Sequence, residues 1–274
     1  MNWPRLSWSN VAKSLLMCVL LLLLGFSVLL WYVTTDSFQQ MARARVVAAL
    51  EQATGGKVEL RAFHAVPLRR QVEVRDLTIH GKEAACEQPY AHVDSMIAVI
   101  NLSSALGAKL AFHSLVLQHP VIHVIFYPDG STNQPTPAQA GNASMERLFA
   151  VSARKLEVRK GELFWQDQRI PLDFTSDDVA ANLNYSFLHQ RYSGDLAIGR
   201  AETRFDGFRP VAWTARSGFT FDRNGLQIQS LNATAGRSKV HARGVHLDFR
   251  KLAAKGNYDL NIDLAEVAAI TRQP

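Results

Sequence analysis

The strongest constraint on how this chain folds is an uncharged apolar run of nineteen residues near its start, Leu15 to Val33. As an α-helix the run would be about 28 Å long, close to the thickness of the hydrocarbon core of a bilayer. A cleaved signal peptide is the alternative, but its apolar region is usually about 7–15 residues long and leads into small residues. This run ends instead in Trp31 and Tyr32, bulky residues of a type enriched at membrane interfaces. The sequence therefore predicts a retained transmembrane helix over 15–33, with Trp31 and Tyr32 at the interface.

The residues before this run indicate its orientation. Residues 1–14 contain Arg5 and Lys13 and no acidic residue, so the positive-inside rule predicts a cytoplasmic tail and places the rest outside. The whole chain has 30 basic and 24 acidic residues, and 28 of the basic ones follow the tail. Because this excess is mild and forms no run of lysine or arginine, we expect no nucleic-acid partner.

An amphipathic helix is predicted next, from about Ser37 to Ala53. Its apolar residues recur at helical spacing, at Phe38, Ala42, Val46, Ala49, Leu50 and Ala53. Thr35, Asp36 or Ser37 can cap the start of the helix, and Gly55-Gly56 can supply the left-handed residue that ends it.

From there to the end, most segments alternate between apolar and polar residues, as β-strands with one buried face do. Even-numbered positions are apolar over 257–264, and Leu183, Tyr185 and Phe187 alternate with polar residues in the same way. These two segments are predicted to be strands.

Two further segments depart from simple alternation. In Gln71–His80 the apolar positions change phase at Arg75-Asp76, which predicts a β-bulge or a bend there. His119–Tyr127 is apolar on both faces, so we expect this strand to be covered on both sides, with the amphipathic helix as one candidate cover.

Glycine-containing turn dipeptides such as Asp206-Gly207 and Asn224-Gly225 follow one another at close intervals. Such spacing favours an antiparallel meander over parallel βαβ units. The predicted fold class is therefore mostly β: a transmembrane helix and one amphipathic helix, followed by an elongated, curled antiparallel sheet.

The chain is expected to be organised in five parts. Residues 129–150 have the composition of a linker, rich in Pro, Thr, Asn, Gln and Ala, and a short helix is expected near 144–152. A brief helical stretch is expected at 266–270, in a last segment that we expect to be incomplete at its C-terminal end. The parts are the tail (1–14), the transmembrane helix (15–33), the helix with a first β segment (34–128), the linker (129–150) and a second β segment (151–274).

No residue pattern indicates catalysis or a site for a metal or cofactor. His119 and His123 are four residues apart, but on a strand that gap is about 13 Å, too far for one ion. Asp177 and Asp178 are neighbours on a strand and would face opposite ways. Cys86 is expected to be an unreactive surface thiol, and the chain is predicted not to be an enzyme.

A sheet with one continuous apolar face must bury that face or bind something with it. Two arrangements are open: a second sheet closes over it as a β-sandwich, or the sheet curls and leaves an apolar groove that an acyl chain or an exposed client strand can occupy. The residues expected to line such a groove are Val72, Val74, Leu77, Ile79, Leu183, Tyr185, Phe187, Leu260 and Ile262.

Several segments resemble the AsmA/TamB-like proteins of the Gram-negative envelope, which are similar to chorein-type bridge lipid-transfer proteins. The most specific is the turn Asp129-Gly-Ser-Thr-Asn-Gln-Pro135. The others are the N-terminal run with Leu50-Glu-Gln-Ala-Thr-Gly-Gly-Lys-Val-Glu-Leu60, then Val74-Arg-Asp-Leu-Thr-Ile-His-Gly-Lys-Glu83, Leu115-Val-Leu-Gln-His-Pro-Val-Ile-His-Val124, Leu156-Glu-Val-Arg-Lys-Gly-Glu-Leu163 and Tyr192-Ser-Gly-Asp-Leu196.

The resemblance implies a single-pass inner-membrane protein with a periplasmic β-taco, a long U-shaped sheet around an apolar trough. It further implies a phospholipid or other acyl-chain lipid as partner, or an outer-membrane assembly protein, in lipid transfer or in the assembly of outer-membrane proteins. The alternative is a membrane-stalked β-sandwich that serves only as an interaction module. Members that bridge the periplasm are much longer than this chain, and the family supplies no catalytic residues.

Overall fold

A computed structural model describes residues 8–33, 35–66, 69–84, 86–100, 112–136, 153–186, 188–222, 224–249 and 253–271. Within these ranges the chain is mostly β, with three helices and one curled sheet of eleven strands. The helices are α1 (Trp8–Val33), α2 (Asp36–Thr54) and α3 (Leu264–Thr271). The strands are β1 (Lys57–Val66), β2 (Gln71–His80), β3 (Ala91–Ile100), β4 (Phe112–Phe126), β5 (Lys155–Asp167), β6 (Leu172–Ser186), β7 (Arg191–Phe205), β8 (Val211–Phe221), β9 (Gly225–Ala235), β10 (Ser238–Asp248) and β11 (Ala253–Asn261).

The chain divides into two compact units, Met1–Arg45 and Val46–Pro274. In the first unit, α1 exposes large apolar side chains along the run from Leu15 to Tyr32. Among the residues that the structure describes, no helix combines the length and hydropathy that a membrane crossing requires.

Helix α2 confirms the predicted helix, although Ala49 and Ala53 of the predicted apolar stripe are exposed. Val46, Val47 and Leu50 pack against the buried side chains of β1–β3 in the second unit. The helix ends as predicted: Gly55 has a φ of 76°, and its N–H donates to the Glu51 carbonyl over 2.7 Å.

The described strands lie in the sheet in sequence order, so each strand pairs with its neighbours in the chain. All neighbouring pairs are antiparallel except β4 and β5, which are parallel. The antiparallel, curled sheet agrees with the predicted fold class, whereas the parallel pair was not predicted. The described strands form one sheet, while a β-sandwich would need two.

A line of residues with left-handed backbone crosses the sheet. Asp76, His119, Lys160 and Asp178 all have φ between 50 and 55°, and they lie on β2, β4, β5 and β6 near the same level of the sheet. At this level the positions that face each side of the sheet change, so that Val74 and Leu77 lie in one core cluster although they are three residues apart. The register shifts beside Lys160 and Asp178, as at a β-bulge, and continues without a shift past Asp76 and His119. The phase change predicted at Arg75-Asp76 is confirmed, and the changes at the other three residues were not predicted.

The predicted strand over 257–264 ends earlier than expected, at Asn261. Asp263 instead caps α3, since its carboxylate accepts the Ala265 N–H over 2.8 Å and its carbonyl accepts the Glu266 N–H over 3.1 Å. The expected helical stretch at 266–270 is confirmed and extends over Leu264–Thr271.

The first residues of the predicted linker are fixed to the sheet by Asn133, which is fully buried. Its side chain accepts the Ile125 N–H over 2.9 Å and donates to the His123 carbonyl over 2.8 Å. Its own carbonyl accepts the Lys82 N–H over 2.7 Å. Asn133 therefore takes the place of a neighbouring strand along the end of β4. Residues 137–152, with the expected short helix, lie outside the described residues.

Candidate apolar binding surface

Strand register shows that one face of the sheet is predominantly apolar. Directly paired residues of neighbouring strands lie on the same face, so a chain of pairs traces a row across the sheet. One such row crosses nine strands and contains only apolar residues and one glycine: Val72, Ala98, Leu115, Leu156, Leu183, Gly194, Phe219, Ile228 and Val245. We call this side of the sheet the apolar face.

The β1–β3 end of the apolar face is a closed core. Val74 is 0% exposed and Leu77 3%, and the two lie in one cluster with Val58, Leu60 and Val93. Val72 and Ile79 pack against this cluster, as do the α2 residues named above. Four of the residues expected to line a groove therefore belong to the core beneath α2: Val72, Val74, Leu77 and Ile79. The candidate binding surface lies on later strands.

From β5 to β10 the apolar face is only half-buried. Leu163, Leu183, Leu196, Ile198 and Ile228 keep intermediate exposure, because few side chains cover them. Buried positions on this part of the face are mostly small: Ala181, Ala201, Ala215, Ala242 and Ser176. Larger side chains thus stand partly exposed around a floor of small ones.

Aromatic side chains border this floor at both ends of the strands. Near one end, Phe126 lies 4.7 Å from Trp165 and Phe174 lies 5.6 Å from Trp213, measured between ring centroids. The strand register places these four aromatic residues on the apolar face.

Near the other end, Tyr192 lies between Tyr185, at 4.7 Å, and Phe221, at 5.0 Å. Burial raises the pKa of Tyr192, which keeps its phenol neutral. On β6, Phe174 and Tyr185 are separated by roughly 35 Å of strand. The two aromatic borders were not predicted, because they form only when register aligns residues that are distant in sequence.

The β11 end of the apolar face is open. Leu260 pairs with Val240 and Tyr258 with Ala242, so the even positions of β11 share the apolar face, as the alternation predicted. Leu260 is 49% exposed and Tyr258 76%. Ile262 follows the strand, is also exposed, and lines the pocket beside α3.

That pocket lies between α3 and one end of β8–β10, and it has a volume of about 480 Å³. Glu266 holds α3 in place by accepting the Arg237 N–H over 2.6 Å and the Ser238 hydroxyl over 2.7 Å. Arg237 in turn lies 2.8 Å from the Asp263 carboxylate. These hydrogen bonds keep the pKa of Glu266 below its usual value, so the carboxylate stays charged at neutral pH.

The remaining predicted positions are placed as follows. Trp31 and Tyr32 are exposed in the first unit, and the Tyr32 ring lies 5.8 Å from Phe38, edge to face. Phe187 lies outside the described residues.

His119 and His123, which are four residues apart in the sequence, have different surroundings. His119 lies between Asp94, at 2.8 Å, and Glu162, at 2.9 Å, and hydrogen bonds to the two carboxylates raise its pKa. The His123 ring stacks on Phe164 at 4.7 Å, and burial lowers its pKa. In the described part of the chain, no group of three or more potential ligands is arranged to hold a metal ion.

The opposite face carries a second pocket of about 470 Å³, which the sequence did not indicate. His123, Phe164 and Thr175 contribute to its wall, with Glu202 and Arg204 at its polar side. Cys86 also lines it and is a free, exposed thiol.

No protein-family model matches the chain, and no curated protein matches it either. The likeness to AsmA/TamB-like proteins therefore rests on the sequence segments given above.

Proposed function

We propose that this is a single-pass inner-membrane protein whose periplasmic sheet binds acyl chains along its apolar face. In this role it aids transfer of lipids or the assembly of outer-membrane proteins. The observation that carries the proposal is the half-buried apolar face of β5–β10, which is bordered by aromatic residues and open at β11.

The membrane anchor is supported by the sequence of 15–33 taken whole, which is apolar and uncharged. Within this segment, the side chains of residues 26, 29, 30 and 33 are not among those that the structure describes. Arg5 and Lys13 before the run favour a cytoplasmic N-terminus, which places the sheet in the periplasm.

An acyl chain suits the apolar face because it needs no polar partners and can extend across many strands. Burial of each CH₂ group contributes about 0.8 kcal/mol, so a chain of ordinary length gains enough to leave water. The larger side chains around the small buried residues, such as Leu196 and Ile198, keep intermediate exposure and can contact a ligand directly.

A protein client is the second candidate, since the exposed strand of an unfolded outer-membrane protein also presents alternate apolar side chains. An interaction module without transport is the third. A β-sandwich version of that module is disfavoured by the single sheet of the described strands.

Photocrosslinking in cells distinguishes these candidates. A photoreactive amino acid is placed at Leu183 or Leu196, on the apolar face, and at their neighbours Asn184 and Asp195, which are exposed on the other face. We expect lipid adducts at the first two positions and none at the neighbours. Adducts with an unfolded outer-membrane protein would select the client role. Equal labelling at all four positions, or none at any, would rule out a ligand on the apolar face.

A further inference from the structure

The last strand of the sheet, β11, has a free edge. It pairs with β10 on one side, and in the described residues no strand pairs with its other side. All nine of its residues are exposed. Natural proteins usually protect such an edge with proline, a bulge, several lysines or a covering segment. Between Ala253 and Asn261 there is no proline and only one lysine, and the irregularity in this strand pair lies on β10, at Gly244 with φ 61°.

We propose that this edge pairs with the same edge of a second copy of the chain, so that two β11 strands join antiparallel across a two-fold axis at Asn257. Asn257 is the central residue of Ala253–Asn261, so this register pairs the strand over its full length. The two sheets would then form one continuous sheet whose apolar faces are contiguous.

Charge supports this partner and this register. Lys255 and Asp259 lie on the polar face of β11, opposite His246 and His241 of β10. Neither forms an ion pair with any described residue, and along one strand they are about 13 Å apart. In the two-fold pair, Lys255 of each copy lies directly opposite Asp259 of the other. Two isolated charges therefore become two cross-strand ion pairs.

The apolar side of β11 is complementary to itself in the same register. Tyr258 of one copy lies opposite Gly256 of the other, and Leu260 lies opposite Ala254. Each large side chain thus lies opposite an alanine or a glycine of the other copy. An aromatic residue across from a strand glycine is a favourable cross-strand pair. Pairing also covers Tyr258 and Leu260, which are 76% and 49% exposed in one copy.

Cysteine crosslinking tests the register in the full-length protein. In a background with Cys18→Ala and Cys86→Ser, Asn257→Cys places two thiols on the axis, within the reach of a disulfide. Lys255→Cys is the matched control, since it is on the same strand and face but about 13 Å from its own copy. We expect a disulfide-linked dimer of the 30.5 kDa chain from Asn257→Cys and little from Lys255→Cys. Equal crosslinking of the two variants, or none, would overturn the proposal.

Charge reversal tests the ion pairs. Lys255→Asp and Asp259→Lys each place like charges opposite one another, and we expect each to raise the dimer Kd about tenfold. The double variant restores opposite charges and is expected to dimerise like the wild-type chain. Sedimentation of the detergent-solubilised protein measures the Kd.

All three positions are exposed, so the variants are expected to keep the thermal stability of the monomer. A wild-type chain that stays monomeric, or a double variant as weak as the single ones, would refute the two-fold pair. Capture of a different protein at residue 257 without homodimer would assign the edge to that partner instead. None of these readouts depends on lipid binding.

Discussion

At the scale of single residues, Asn133 shows how one side chain replaces a strand. It lies in the turn that carries the most specific part of the AsmA/TamB-like resemblance, and its polar atoms bond to β4 and to Lys82, two residues beyond β2. The sequence indicates a turn at Asp129-Gly130. It does not indicate that Asn133 takes the place of a strand, because the partners Ile125, His123 and Lys82 are identified only by the fold.

The first prediction concerns this residue. Asn133→Ala leaves the Ile125 N–H and the His123 carbonyl without their partners in a buried place, so the free energy of unfolding should fall by about 2–4 kcal/mol. Asn133→Asp keeps the acceptor but loses the donor and should be intermediate. Chemical denaturation measures both. Asn182→Ala, at an exposed position on β6, is the control and should change stability by less than about 0.5 kcal/mol. A similar loss from both alanine variants would contradict the role given to Asn133.

At the scale of elements, the local patterns were predictable and the long-range ones were not. Helix α2 and the phase change at Asp76 follow from spacing within about twenty residues of chain. The phase change at His119 leaves a comparable trace, because apolar-face positions shift from Leu115 and Leu117 to Pro120 and Ile122. The parallel pairing of β4 with β5 leaves no such trace, since the strands are joined through the long segment after Phe126.

His119 joins the elements at that junction, because its imidazole links Asp94 on β3 to Glu162 on β5. The two hydrogen bonds raise its pKa above the ordinary value of 6.5, so the folded state binds the proton more tightly than the unfolded state. The resulting stabilisation is present below the unfolded pKa and is lost as pH rises through the folded one.

His119→Asn removes this link while keeping a residue type that tolerates the positive φ of 50°. We therefore expect the Tm difference between the wild-type chain and this variant to be larger at pH 5.5 than at pH 8.5. Thermal unfolding by circular dichroism gives the difference at each pH. A difference that is constant, or larger at pH 8.5, would show that the imidazolium does not bridge the strands.

At the scale of the whole molecule, the apolar face has a closed end and an open end. The sequence alternation predicted its residues on β2, β6 and β11, and register confirms that they share one side. Alternation does not reveal which part is covered, because cover depends on where α2 packs. Val74 and Leu183 look alike in sequence, yet only Val74 is buried beneath a helix.

The most direct measurement of the proposed function is the equilibrium binding of a fluorescent phospholipid to the purified full-length chain. Ile198→Glu places a carboxylate on the apolar face of β7, whereas Thr214→Glu places one on the exposed, opposite face of the adjacent strand β8. Because an unpaired charge against an acyl chain is costly, we expect Ile198→Glu to weaken binding at least about tenfold and Thr214→Glu to leave it unchanged. Equal binding by both variants, with their folds intact, would contradict a lipid-binding apolar face.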